Sequence, residues 1–159
     1  MTRALKLAVD MVPRPLFGQS LYRLARKSRW QKLRSSILDE QGLVCACCNR
    51  AVNESKDLQA HEIWLYEEGD SENVARLSEI NLICKQCHAV EHMGNTIMRV
   101  REGTLSDEYI PQLINHFCSV NGIDAEQFEP HFKTAADEWN RRSALAWRVE
   151  YGAFAELLD

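Results

Sequence analysis

An α+β fold, with helices flanking a small metal-bound centre, follows from three features of the sequence. Apolar residues recur at three- and four-residue steps on both sides of the middle of the chain, which is the spacing of amphipathic helices. Two shorter stretches, one around His61 and one from Trp147 to Phe154, carry the branched and aromatic side chains of strands. Between residues 45 and 92 the chain concentrates five of its six cysteines and three of its five histidines. The cysteines at 45 and 48, and at 84 and 87, form two C-x-x-C pairs, a spacing that lets four thiolates close a tetrahedral shell around Zn²⁺.

Taken in order, residues 1–19 contain Pro13, Pro15 and Gly18, which interrupt a helix and predict an extended N-terminal arm. From Ser20, the residues Leu21, Leu24, Trp30, Leu33 and Ile37 keep helical spacing, with Ser28 as the expected cap of a second helix near Trp30 and Gly42 as its stop. Leu43 and Val44 lead into the first cysteine pair, where Asn49 suits a left-handed turn position. Cys47 competes with its neighbours as a ligand, although the C-x-x-C spacing meets one metal more comfortably. A strand is expected around Leu58–Trp64, a loop over the acidic Glu67–Asn73, a helical turn at Val74–Leu77 and a loop carrying Asn81. After Cys87, His88, Val90, His92 and Met93 have helical spacing up to Gly94. His88 and His92, four residues apart, share a helix face.

Residues 95–103 read as a linker or short strand. Ser106 opens a helix through Leu113 and Phe117 to Asn121-Gly122. Asp124 caps a last helix to about Leu145, with Pro130 an awkward presence in it. The domain plan is thus an arm (1–19), a basic helix region with the metal-bound core (20–94) and a C-terminal helical extension (95–159). Trp64, Trp139 and Trp147 are expected in the core. Cys118, His116 and His131 have no partner spacing and read as packing or surface positions, and Arg141-Arg142 as a solvated pair.

The net charge of −4 conceals an asymmetry. Residues 1–34 carry nine Lys or Arg against one acid, a net +8, and the remaining 125 residues carry −12. A basic segment on an acidic body can track phosphates through residues such as Arg23, Arg26 and Lys27. The acidic body argues against indiscriminate coating of nucleic acid. No apolar run approaches the roughly 18 residues of a membrane span, and the first residues are too weakly hydrophobic for a secretory signal. A cytoplasmic location is therefore expected, where clustered cysteines serve as metal ligands before disulfides.

The segment Asn81-Leu82-Ile83-Cys84-Lys85-Gln86-Cys87-His88, with His61 upstream, resembles the motif of HNH nucleases, the ββα-metal superfamily. The resemblance runs from Trp30 to about Gly94, and the subtype is the one stapled by zinc between two C-x-x-C pairs. His61-Glu62-Ile63-Trp64 and Trp139-Asn140-Arg141-Arg142-Ser143 are also similar to a less characterised bacterial branch over most of the chain. The nuclease resemblance implies a small zinc-stapled ββα-metal core and hydrolysis of DNA phosphodiesters. It also implies structural Zn²⁺ at Cys45, Cys48, Cys84 and Cys87, and a catalytic Mg²⁺, Mn²⁺ or Ni²⁺ at His88 and His92. His61, Asn81 and His88 fall where the motif's histidine, asparagine and histidine belong, and His61 is the expected general base.

The chain departs from the pattern at Ala60, where relatives carry a metal-binding residue. Glu62 is expected on the opposite strand face from His61. That departure keeps open a non-catalytic zinc module binding nucleic acid or a protein partner, and the −12 of residues 35–159 keeps open a small regulator whose acidic surface imitates nucleic acid.

Overall fold

The computed structural model describes residues 4–159; Met1 to Arg3, with the first of the basic side chains, lie outside it. Its centre is a hairpin. Strand β1 (Leu58–Glu68) pairs antiparallel with β2 (Asn73–Cys84), and the short β3 (Arg148–Glu150) adds to β2 in parallel. The order β1-β2-β3 makes a three-stranded sheet. Helix α1 (Leu21–Leu24) and α2 (Lys27–Gln41) precede the hairpin, and α3 (Lys85–Glu91) follows β2 without a break. Then come α4 (Met93–Arg101), α5 (Tyr109–Asn121) and α6 (Phe128–Ser143). This is the α+β class that the sequence predicts. No helix is long and apolar enough to cross a membrane among the described residues.

Two apolar clusters hold the layers together. In one, Leu58, Leu82, Ile83 and Val90 meet Leu113, Phe117 and Phe128 of the C-terminal helices. In the other, Leu21 and Trp30 meet Leu77, Ile80 and Leu157. The extended arm belongs to the first cluster, since Leu7 and Val9 are buried in it. Its backbone is pinned by α5 and α6. Asn121 Oδ1 accepts from Lys6 N at 2.8 Å, His131 Nε2 accepts from Val9 N at 2.9 Å, and Trp139 Nε1 donates to Val12 O at 2.8 Å. His131 and Trp139 thus work as clamps on the arm. Trp64, Trp139 and Trp147 are half-buried at the edges of the core, and Trp30 is the fully buried tryptophan.

Several local expectations hold for the reasons that predicted them. Gly42 follows α2 at φ 76°, and Asn49 takes φ 61° in the cysteine turn. Asp124 does cap, in a reciprocal box with Gln127, but on the 3₁₀ turn Ala125–Gln127 that leads into α6 rather than on α6 itself, whose N-cap is Gln127. Pro130 sits in the first turn of α6, where its missing N–H has no intrahelical acceptor to lose.

Others are corrected. Helix α2 starts at Lys27 with Arg26 at its N-cap, so Ser28 is inside the helix and caps nothing. Val74–Leu77 belongs to β2, and β1 reaches Glu68, which shrinks the acidic loop to four residues. Asn81 lies in β2, paired with His61, rather than in a loop. Gly94 does not stop a helix; the break falls at His92 (φ −100°, ψ 42°), and α4 covers most of residues 95–103. Gly94 is instead a close-approach position, because a Cβ there would come within 2.9 Å of Met11 Sδ. The terminal strand is only three residues long and gives way to a 3₁₀ segment, Gly152–Leu158.

Candidate functional site

The first C-x-x-C pair sits in a tight turn whose ends are joined by the Val44–Ala51 bridge. Gln41, in the last turn of α2, fastens this turn to β2: its Nε2 donates to Val44 O and Leu82 O, and its Oε1 accepts from Leu82 N. The second pair spans the junction of β2 and α3. Cys84 is the N-cap of α3, and its Sγ accepts from Cys87 N at 3.4 Å. Cys45 Sγ similarly accepts from Cys48 N and Cys84 N. Backbone amides aimed at sulfur favour the thiolate form that binds metal.

Cys45, Cys48, Cys84 and Cys87 bring their sulfurs within 4.8 Å of one another, with Cys48 and Cys84 at 3.9 Å. A Zn–S bond of about 2.3 Å implies tetrahedral S···S edges of about 3.8 Å. The donor set therefore fits a zinc-sized ion. Hydrogen bonds from Cys84 and Cys87 hold the Cys45 thiol well below its ordinary range, while burial pushes Cys48 up to about 11. Hydrogen bonds to Cys45, Cys47 and Cys84 push the Cys87 thiol up as well, so holding all four sulfurs as thiolates at this spacing would require a cation among them.

Cys47 lies outside the four-sulfur group and donates to Lys6 O at 3.3 Å. Cys118 also lies outside it. His116 is placed differently from its sequence reading. It is buried on α5 and brings Nε2 to 3.2 Å from Cys87 Sγ. No local spacing signals this approach, because 29 residues separate the two. Groups that hydrogen-bond metal ligands orient them and tune affinity. Replacing His116 with alanine should weaken metal retention by about 10- to 100-fold, read by competition against a chelator of known affinity.

A second group forms where α3 packs across the hairpin. Ring nitrogens of His61, His88 and His92 lie within 4.8 Å of one another, and the rings meet edge-on with centroids 4.6–6.1 Å apart. His61 comes from β1, opposite Asn81 of β2. His88 is one residue past the cysteine staple, and His92 one turn later. Burial pulls the imidazoles down: His61 to about 4, with the His88 ring adding to the effect, and His92 to about 3. Burial lowers His88 as well. All three are thus neutral at pH 7, with lone pairs available. His61 Nδ1 and Asn81 Oδ1 are both buried and without a hydrogen-bond partner among the described residues, which is costly unless an ion or water is bound.

Glu62 is not part of the histidine group, but it lines the same groove as His88 and His92. Its Oε1 accepts from Tyr22 N at 3.0 Å. Ala60 packs against both apolar clusters, so position 60 is a packing position. The third histidine, rather than a carboxylate, completes the polar set.

His88 and His92 open into a groove of about 1360 Å³ that is also lined by Arg23, Lys27, Arg34 and Lys56 and by one acid, Glu62. Arg23 and Lys27 are exposed on its wall. Arg34 is committed to the carbonyls of Ser55 and Leu58. Arg26 lies at the N-cap of α2, outside the lining. Arg141 and Arg142 are paired with acids, Arg141 with Glu68 and Glu138 and Arg142 with Glu138 and Asp10. Compared with known proteins, the chain matches no family model, no curated protein and no solved structure.

Proposed function

We propose that the chain is a metal-dependent endonuclease of the HNH type that hydrolyses phosphodiester bonds in DNA. The observation that carries this reading is the meeting of three neutral histidines, from β1, α3 and the C-cap of α3, two of which, His88 and His92, line a groove that also carries Arg23, Lys27, Arg34 and Lys56. In this reading Cys45, Cys48, Cys84 and Cys87 hold a structural Zn²⁺ that staples the cysteine turn to the start of α3. His88 and His92 hold a catalytic Mg²⁺, Mn²⁺ or Ni²⁺. Such a cation supplies charge neutralisation at the phosphate and the leaving oxygen. His61 takes the proton of the attacking water, a role open to an imidazole that is neutral at pH 7. Asn81, with its unpartnered oxygen opposite His61, orients this pair. Arg23 and Lys27 lead the phosphate backbone toward the histidines.

His61 is also placed to be a third ligand, since its nitrogen is as close to His88 and His92 as theirs are required to be for one ion. The deciding experiment is plasmid nicking with each of Mg²⁺, Mn²⁺ and Ni²⁺, wild type against His61→Ala. Absence of nicking with every metal, alongside tight binding of nucleic acid or of a protein, would favour a non-catalytic zinc module instead.

The groove makes a separate prediction. Each phosphate that the protein no longer neutralises should reduce the slope of log K against log salt by about 0.9 on duplex DNA. Replacing Arg23 and Lys27 together should lower affinity and flatten the slope, and adding Arg26→Ala should change little more. Salt titrations of binding check this, and an unchanged slope would leave the basic segment as a solvated face.

A further inference from the structure

Beside the basic groove lies a second cavity of about 670 Å³ whose character is different. Ile97, Met98, Phe132 and Trp139 give it apolar walls, and the amides of Asn95 and Asn140 stand in its lining. Phe17 and His92 line both spaces. The apolar cavity and the basic groove therefore meet at the histidine cluster. Its aromatic wall is held in place: Trp139 donates to Val12 O, and the Arg14 guanidinium lies 4.3 Å over the indole ring. At its mouth the chain leaves large apolar side chains in water, with Phe17 63% and Met98 50% exposed.

These features select an occupant. Apolar walls with an aromatic face suit a flat ring, and side-chain amides suit a hydrogen-bonding edge. Arg14 and Arg101 give the lining positive charge, which matches a ligand joined to phosphate. An alkyl chain would leave the amides and cations without partners. A nucleobase meets each requirement, and its phosphate lies one sugar away, the order in which cavity and histidines occur. A base paired within a duplex cannot enter such a cavity without leaving the stack. We infer that the chain acts on single-stranded or locally unpaired nucleic acid, with one base seated between Trp139 and Met98 beside the phosphate held at the histidines. The inference rests on the endonuclease reading for the phosphate's position, but base binding can be measured without cleavage.

The experiment is fluorescence anisotropy with the zinc-loaded full chain in Ca²⁺, using three probes. These are a short oligothymidylate, an abasic strand of the same length and a blunt duplex of the same length. The oligothymidylate should bind about tenfold or more tighter than the abasic strand, the scale of one stacked base. It should also bind more tightly than the duplex. Phe17→Ala and Met98→Asp, both at exposed positions, should bring the oligothymidylate and abasic affinities together without moving the melting temperature. Equal wild-type affinity for the thymidylate and abasic strands, or a duplex bound as tightly as the single strand, would overturn the inference. The same probes with Mn²⁺ report cleavage. Base-dependent binding with no cutting would sink the endonuclease reading and leave the cavity's assignment standing. Cutting that ignores the bases would do the reverse.

Discussion

Cys84→Ser should leave the chain without its metal and with its centre unfolded. Cys84 is at once a member of the four-sulfur group, the N-cap of α3 and a sulfur that accepts the Cys87 amide. The cysteine turn before β1 has little core of its own; it is held by the Gln41 clamp, by the buried Cys45, by Ala46 N donating to Leu82 O and by Arg50 donating to Gln86, and a metal bound by the four sulfurs would add the strongest tie. Structural zinc sites contribute roughly 10–16 kcal/mol of apparent binding free energy, against a total stability of about 5–15 kcal/mol for a domain. Loss of one ligand therefore removes more than the fold can spare. Removing the metal with a chelator should have the same consequence. Cys118→Ser, outside the cluster, should retain both metal and melting temperature. Elemental analysis and thermal melts check the pair. Less than about half an equivalent of zinc in the purified wild type would count heavily against the staple.

The second large effect concerns the histidines. If His61 is the general base, His61→Ala should lower the cleavage rate by roughly 10²–10⁴ and leave divalent-cation binding nearly intact. His88→Ala should weaken the cation instead, so that raising Mn²⁺ recovers part of the rate, and His92→Ala should follow it in milder form. The measurement is cleavage rate against metal concentration, with zinc content checked in each variant. Loss of cation affinity in His61→Ala would make His61 the third ligand and move the base elsewhere. A rate unchanged in both His61→Ala and His88→Ala would move the chemistry away from this cluster.

Much of the site is legible in the sequence because its geometry is short-range. The C-x-x-C spacing brings each pair of sulfurs together, and the four-residue step carries His88 on α3 and His92 at its C-cap to the same side. Turns and helix ends are similarly local where a left-handed position or a capping side chain sets them, as at Gly42 after α2, Asn49 in the cysteine turn and Asp124 before the 3₁₀ turn Ala125–Gln127. Where the local signal is ambiguous, the reading fails. Val74–Leu77 is too short to show a period, and pairing with β1 and β3 makes it strand. Gly94 has the composition of a helix stop, but it is small because Met11 of the arm passes over it.

By itself, then, the sequence determined the α+β class, the two cysteine pairs, the nearness of His88 and His92 and the basic lead-in, because each is a matter of spacing or composition; that a helix break falls at His92 was not legible. Only the tertiary structure decided the rest. It brought His61 to the helical histidines, put Asn81 opposite it in a strand, set His116 against Cys87, packed Ala60 into the core and joined an apolar cavity to the basic groove. Each of these depends on side chains that meet across the sheet or between helices far apart in the chain. Such meetings are set by how the layers pack, which no local pattern of residues encodes.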